Sequence, residues 1–162
     1  MIVKFCIMKF RLYQILHVAA IVLLVMALIG NVAFFIGSDG STSLLDNFKY
    51  TMPDGSSSSS VVALGVVLIV AAAINAFALL VSLFSNFALL KRCLILSMLV
   101  LAGYYILLLA YSSILVDESA VDMCKGMFFP LAALAANALA FVMTRREEAR
   151  IVAKALGFRL RD

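Results

Sequence analysis

Polar side chains that stand inside long apolar stretches are the residues of this sequence best placed to do chemistry. They are Asn75, Tyr104, Tyr105 and Asn137. In a hydrocarbon environment, carboxamide and phenol groups form hydrogen bonds with one another across helices. At a rise of about 1.5 Å per residue, all four lie within a few turns of the middle of their stretches. We predict an interhelical cluster containing at most one of the adjacent tyrosines. It would stabilise the packing of the helices by about 0.6 kcal/mol per hydrogen bond. Alternatively, it would line a polar path for a small solute.

The remaining reactive residue types do not form a catalytic pattern. His17 is the only histidine, and the apolar stretches hold no Asp, Glu, Lys or Arg that could share a proton with it. We expect an interfacial histidine bonded to headgroups or neighbouring backbone. Cys6, Cys93 and Cys124 are predicted to form no disulfide within the chain, since the topology below places Cys124 on the outer side and the other two on the reducing, cytoplasmic side. A free thiol is expected at Cys124, and a bridge from it to another chain is the alternative. No nucleophile–base pair or metal cluster is present, so we expect no enzyme activity, no cofactor and no metal.

The composition identifies the elements that must carry these residues. Of 162 residues, 65% are hydrophobic and 14% charged, whereas soluble domains are roughly half apolar and about a quarter charged. This excludes a soluble globule, a disordered chain and a disulfide scaffold. A membrane-spanning helix needs about 20 apolar residues. The sequence predicts spans at about 12–36, 61–84, 93–116 and 127–143.

The basic residues predict the orientation of these spans. All but two of the 13 Lys and Arg residues lie in the N-terminal segment, at Lys91 and Arg92, or in the C-terminal tail. The positive-inside rule then places both termini in the cytoplasm. Basic residues at helix ends do not form a groove-binding face, so we expect no nucleic-acid partner. The tail residues form the predicted contact surface: Arg145, Arg146, Arg150, Lys154, Arg159 and Arg161.

Two segments lie outside the spans. The outer loop 37–60 is rich in Gly and Ser, and we expect a loose connector with a turn at 52–55. Its apolar residues could instead rest on the bilayer or cap the bundle. The tail 144–162 carries apolar residues at helical spacing, which predicts a basic amphipathic helix. The simplest interpretation is that this helix binds anionic lipid headgroups. The alternative is that it docks onto a cytoplasmic protein partner.

Several local motifs resemble those of a known family. They are Leu89-Leu90-Lys91-Arg92-Cys93, Gly103-Tyr104-Tyr105, Pro130 with Asn137, Arg145-Arg146-Glu147-Glu148 and Arg159-Leu160-Arg161. Together they resemble a Bacteroidetes family of small four-helix inner-membrane proteins that is catalogued only as a domain of unknown function. Ser97 stands where its members often carry Asn. The resemblance implies four spans, cytoplasmic termini and a location in a bacterial inner membrane, and it implies no activity.

These observations predict an all-α fold, an integral membrane bundle of four antiparallel transmembrane helices over residues 1–143 with a basic amphipathic C-terminal tail. The predicted function is that of a non-enzymatic accessory or scaffold protein. Its expected partners are the lipid bilayer and either another membrane protein or a second copy of the chain. A small transporter or channel, alone or as an oligomer, is the alternative.

Overall fold

Helices account for most of the structure. The computed structural model describes residues 12–36, 40–84, 86–115, 120–123 and 125–156. Within these ranges, four helices are long and apolar enough to cross a membrane. They are α1 (Leu12–Ile29), α2 (Val62–Leu83), α3 (Phe87–Leu115) and α4 (Phe128–Ala155). A short 3-10 turn, Lys125–Met127, leads directly into α4.

The expected four long apolar helices are confirmed, but the fold is not purely α-helical, because the chain also forms a small antiparallel sheet. Its strands are β1 (Ala33–Ile36), β2 (Thr42–Leu45), β3 (Tyr50–Thr51), β4 (Ser57–Ser58) and β5 (Ala120–Met123). They are arranged in the order β4-β3-β2-β1-β5. The chain that leaves α1 therefore pairs with the chain that joins α3 to α4. The segment expected to be a loose connector is the larger part of this sheet.

The boundary between α1 and the sheet shows why the first predicted span is too long. The run 12–36 is apolar throughout, but α1 ends at Ile29 and is followed by Gly30. Beyond it, residues 33–36 alternate between buried and exposed, which is the period of a strand and not of a helix. Phe35 is 2% exposed, and its ring meets the ring of Tyr50 edge to face at 6.2 Å. The sheet therefore has an apolar face against the helices.

The turn predicted at 52–55 joins β3 to β4 at one edge of the sheet. The Gly55 amide donates to the Met52 carbonyl at 3.0 Å, and Gly55 adopts a φ of 83°, a left-handed conformation that favours glycine. The Ser56 amide and hydroxyl both donate to the Asp54 carboxylate, at 2.9 and 2.6 Å. These bonds lower the pKa of the exposed Asp54 carboxyl.

The helices pack as a ring in which each contacts the next and α4 contacts α1. A short connection joins α2 to α3, and Asn86 caps α3 by accepting a hydrogen bond from the Leu89 amide at 3.2 Å. The last helix differs from the prediction, because α4 continues unbroken from Phe128 to Ala155. Residues 144–155 are therefore a continuation of this helix and not a separate segment; we call them the arm.

Two apolar cores fill the interior. The sheet-side core lies next to the sheet, and its helical members include Ala20, Leu24, Leu68, Ala71, Leu101, Tyr104, Ala133 and Ala136. The far core lies at the other end of the helices and consists of Tyr13, Ala78, Val81, Leu90, Cys93, Leu94 and Ala140. The space between the two cores is where the polar side chains collect.

Candidate functional site: a buried polar layer

Three helices share one buried hydrogen-bond cluster. The Asn75 amide nitrogen on α2 donates to the Ser97 hydroxyl on α3 at 2.7 Å, and Asn137 on α4 donates to the same hydroxyl at 3.0 Å. Asn75 also donates to the carbonyl of Ala71, one turn earlier, at 2.9 Å. All three polar side chains are at most 1% exposed. Ser97 thus links the two asparagines, which do not bond to each other directly.

His17 on α1 belongs to the same level of the structure. Ala27 of α1 and Gly65 of α2 both bond to Asn47, so these two residues lie at the same height along the axis of the bundle. His17 lies ten residues before Ala27 and Asn75 ten residues after Gly65, which places each about 15 Å from that height. We call His17, Asn75, Ser97 and Asn137 the polar layer, to which each helix contributes one residue.

The polar layer separates the two apolar cores along every helix. Around His17, Tyr13 belongs to the far core and Ala20 to the sheet-side core. The corresponding pairs are Ala78 and Ala71 around Asn75, Leu94 and Leu101 around Ser97, and Ala140 and Ala136 around Asn137. The layer is therefore closed by apolar side chains both above and below.

Some polar atoms of the layer have no hydrogen-bond partner among the described residues. They are the two ring nitrogens of His17 and the side-chain oxygens of Asn75 and Asn137. The expected interfacial position of His17 is wrong, because its side chain is 0% exposed and faces the bundle interior. A buried polar atom without a hydrogen-bond partner lowers the stability of a fold by about 1–3 kcal/mol. A ligand that bonds to these atoms would therefore stabilise the layer.

The two tyrosines predicted for this cluster lie elsewhere. Tyr104 is fully buried, and its hydroxyl donates to the side-chain oxygen of Asn47 at 3.1 Å. The Tyr105 hydroxyl donates to the Met127 carbonyl at 2.8 Å. The structure thus brings Asn75 and Asn137 together through Ser97, and it places both tyrosines nearer to the sheet.

Asn47, which sequence reasoning missed, joins the sheet to the helices. It is 0% exposed and lies in the turn between β2 and β3. Its amide nitrogen donates to the Ala27 carbonyl of α1 at 2.7 Å, and its own carbonyl accepts from the Gly65 amide of α2 at 2.8 Å. With the bond from Tyr104, one side chain and its backbone contact three helices. Nothing in the composition of the serine-rich loop distinguishes this asparagine.

Ser97 and His17 were also missed as partners of the asparagines, although the sequence contains a signal for them. The inward residues of α3 follow one another at steps of four and three: Leu90, Leu94, Ser97, Leu101, Tyr104 and Leu108. The same steps on α1 give Tyr13, His17, Ala20, Leu24 and Ala27. This is the heptad spacing of a helix-packing seam. A polar residue at a seam position is predicted to face its neighbours and not the lipid.

The predicted tail surface is only partly described. Arg145, Arg146, Arg150 and Lys154 are exposed on the arm. Arg159 and Arg161 lie outside the described residues, as do Cys6, Cys124 and the basic residues before Leu12. At the base of the arm, Lys91 of α3 forms an ion pair with Glu148 at 2.7 Å, with both side chains partly buried.

The other sequence candidates are accounted for by packing. Cys93 is a buried free thiol in the far core. Within the described part of the chain, no group of three His, Cys, Asp or Glu side chains could hold a metal ion. No protein-family model matches the chain, and no curated protein matches it either.

Proposed function

We propose that this protein is a non-enzymatic accessory or scaffold protein of the bacterial inner membrane, built as an antiparallel bundle of four transmembrane helices with both termini cytoplasmic. The bundle topology is supported by the sheet, because the chain after α1, the chain before α2 and the connection from α3 to α4 all meet there. The resemblance to the Bacteroidetes family supports the same topology, and we propose membership of that family.

The charge distribution supports the orientation. Lys91 and the arm lie at the end of the helices away from the sheet, where the ion pair with Glu148 joins α3 to α4. The described chain at the sheet end carries three acidic residues, Asp46, Asp54 and Asp122, and two basic ones, Lys49 and Lys125. The positive-inside rule then directs the arm to the cytoplasm and the sheet to the opposite side.

The arm is the observation that carries the accessory role. An α4 of 28 residues is about 42 Å long, whereas the hydrocarbon core is about 30 Å thick. The arm therefore projects out of the membrane and does not lie along its surface. Arg146, Arg150 and Lys154 line one side at steps of four, and all are exposed.

A second side of the arm is apolar and uncovered. Val152 is 51% exposed and Leu156 is 68% exposed, with the exposed Ala149 one turn before Val152. A projecting helix cannot bury this stripe in lipid as a helix lying flat in the interface would. Apolar residues beside a basic row fit a partner helix that carries apolar and acidic residues. The arm thus favours a protein partner over a lipid-only contact.

Site-specific photo-crosslinking tests this role. A photoreactive residue at Val152 is expected to capture a protein in stoichiometric amount when the full-length chain is crosslinked in cells at native expression level. The matched control at Leu131, which is 52% exposed on the membrane-embedded part of α4, is expected to give lipid adducts. Lipid adducts alone at Val152 would remove the partner from the proposal.

A small-solute path is the second candidate, and the unpartnered oxygens of the polar layer are the observation in its favour. The apolar cores on both sides of the layer oppose a continuous path. Flux through reconstituted vesicles separates the two functions. A path would be abolished by combining Asn75→Leu with Asn137→Leu, whereas an accessory protein would keep its partner.

A further inference from the structure

We propose that the polar layer is a closed binding site for about two ordered water molecules, held between its asparagine oxygens and the imidazole of His17. This inference rests on the interior of the bundle and does not depend on the accessory role.

The first step is the hydrogen-bond inventory of the layer. A neutral imidazole offers one N–H donor and one nitrogen acceptor. Together with the Asn75 and Asn137 oxygens, this leaves three acceptors without a partner among the described residues. The unpaired donors are also three: the imidazole N–H, the second amide N–H of Asn137 and the Ser97 O–H, since Ser97 only accepts in its two bonds. The ligand must therefore both donate and accept hydrogen bonds.

Water meets this demand. One water donates two hydrogen bonds, which leaves one acceptor of the layer unsatisfied. About two waters donate four, of which three reach the asparagine oxygens and the imidazole nitrogen and the fourth joins the waters to each other. The waters keep three acceptor positions, which take the imidazole N–H, the second amide N–H of Asn137 and the Ser97 O–H. Every unpartnered atom of the layer is satisfied in this arrangement.

A cation is disfavoured by charge. The segments of α1, α2 and α3 that face the layer contain no carboxylate, and the acidic residues of α4, Glu147 and Glu148, lie about three turns away at the base of the arm. A cation in the layer would therefore be buried without an opposite charge, which is far more costly than a neutral ligand.

Most side chains that flank the layer on α1, α2 and α4 are short. Alanine flanks the layer on α1 at Ala20, on α2 at Ala71 and Ala78, and on α4 at Ala136 and Ala140. Short side chains at these positions do not reach across the layer as leucine would. Water bound in such a polar, enclosed space is a regular part of folded proteins, where each molecule makes about three hydrogen bonds.

Solid-state NMR of the full-length protein in lipid bilayers tests this proposal with a single probe. Because His17 is the only histidine, labelling with ¹⁵N-histidine gives one imidazole signal set. We expect one protonated and one unprotonated ring nitrogen, and transfer of magnetisation from water to both. Combining Asn75→Leu with Asn137→Leu is expected to abolish that transfer. The control Tyr104→Phe removes a buried hydroxyl from another level and is expected to leave it unchanged.

Each other outcome overturns the proposal. Ring nitrogens that receive no magnetisation from water in the unmodified protein would show a dry layer with direct bonds from His17 to an asparagine. Two protonated ring nitrogens would show a charged layer and exclude a neutral ligand. The unmodified protein alone decides both points, so the proposal stays testable if the double variant does not fold.

Discussion

Truncating the Asn47 side chain is expected to destabilise the fold strongly, although this side chain is small. Asn47→Ala keeps the backbone bond to Gly65 but deletes three side-chain bonds. They are the donations to the Ala27 carbonyl at 2.7 Å and to the half-buried Gly30 carbonyl at 3.4 Å, and the acceptance from Tyr104 at 3.1 Å. Ala27 and Tyr104 belong to the buried core. The variant therefore leaves a carbonyl at the end of α1 and a phenol hydroxyl of α3 without partners.

The expected cost follows from these two groups. A buried polar group that loses its partner destabilises a protein by about 1–3 kcal/mol. For two such groups we expect the free energy of unfolding to fall by about 3 kcal/mol. Tyr104→Phe removes only one of the bonds and leaves only the Asn47 oxygen unpaired, so a loss of about 1 kcal/mol is expected. Because the two residues share a bond, the double variant should cost less than the sum of the single variants.

Reversible unfolding in mixed micelles, with dodecyl sulfate as the denaturant and circular dichroism as the signal, measures these differences. The matched control is Asn31→Ala, which truncates an exposed asparagine of the same connection and should change stability by less than about 0.5 kcal/mol. If Asn47→Ala were no more destabilising than this control, the sheet would not be fastened to the helices through Asn47. Additive effects of the Asn47 and Tyr104 variants would show that the bond between them does not form.

Three further perturbations follow from other contacts. Gly65→Ala places a methyl group against the Phe48 ring, so we expect a loss of about 1–3 kcal/mol in the same unfolding assay, largely relieved by adding Phe48→Ala. Lys91→Glu should release the base of the arm through repulsion from Glu148. The swap with Glu148→Lys should restore it, as read from spin-label distances between α3 and the arm, with a stability change of about 1 kcal/mol or less. Asn137→Leu alone should lower the free energy of unfolding by about 0.6 kcal/mol. A decrease of more than about 3 kcal/mol would show that the bond from Asn137 to Ser97 is not a weak one.

The helices could be predicted from the sequence because the bilayer demands long apolar runs, and α2 lies within a residue of its predicted bounds. The end of α1 could not, because Phe34, Phe35 and Ile36 are as apolar as the helix before them. Hydrophobicity alone does not distinguish a strand against a bundle from the last turns of a spanning helix. Only the alternation of burial, which depends on the pairing of β1 with β2, reveals the change.

The candidate site was predictable to a similar extent. Asn75 and Asn137 stand out because carboxamides are rare in apolar runs, whereas Ser97 is small enough to escape notice among many serines. The two tyrosines were misplaced because distance from the membrane centre was counted from the ends of the apolar runs. The partner of Tyr104 lies in a loop, and Asn47 enters the helical region from the sheet. A partner supplied by a different element cannot be found by counting along one helix.

The placement of the polar contacts has a physical reason that applies to the whole bundle. Lipid tails are as apolar as the side chains of the helices, so burial alone does not set the height of one helix against the next. Directional contacts can set it, and they occur at three heights: around Asn47, in the polar layer, and at the far end through Gln14 with Ser82 and Lys91 with Glu148. If α2 or α3 slid by one turn, about 5.4 Å, it would break bonds at all three heights together. The polar residues thus fix the register that the apolar cores leave free. Removing the polar contacts at only one of the three heights should therefore loosen the bundle without unfolding it.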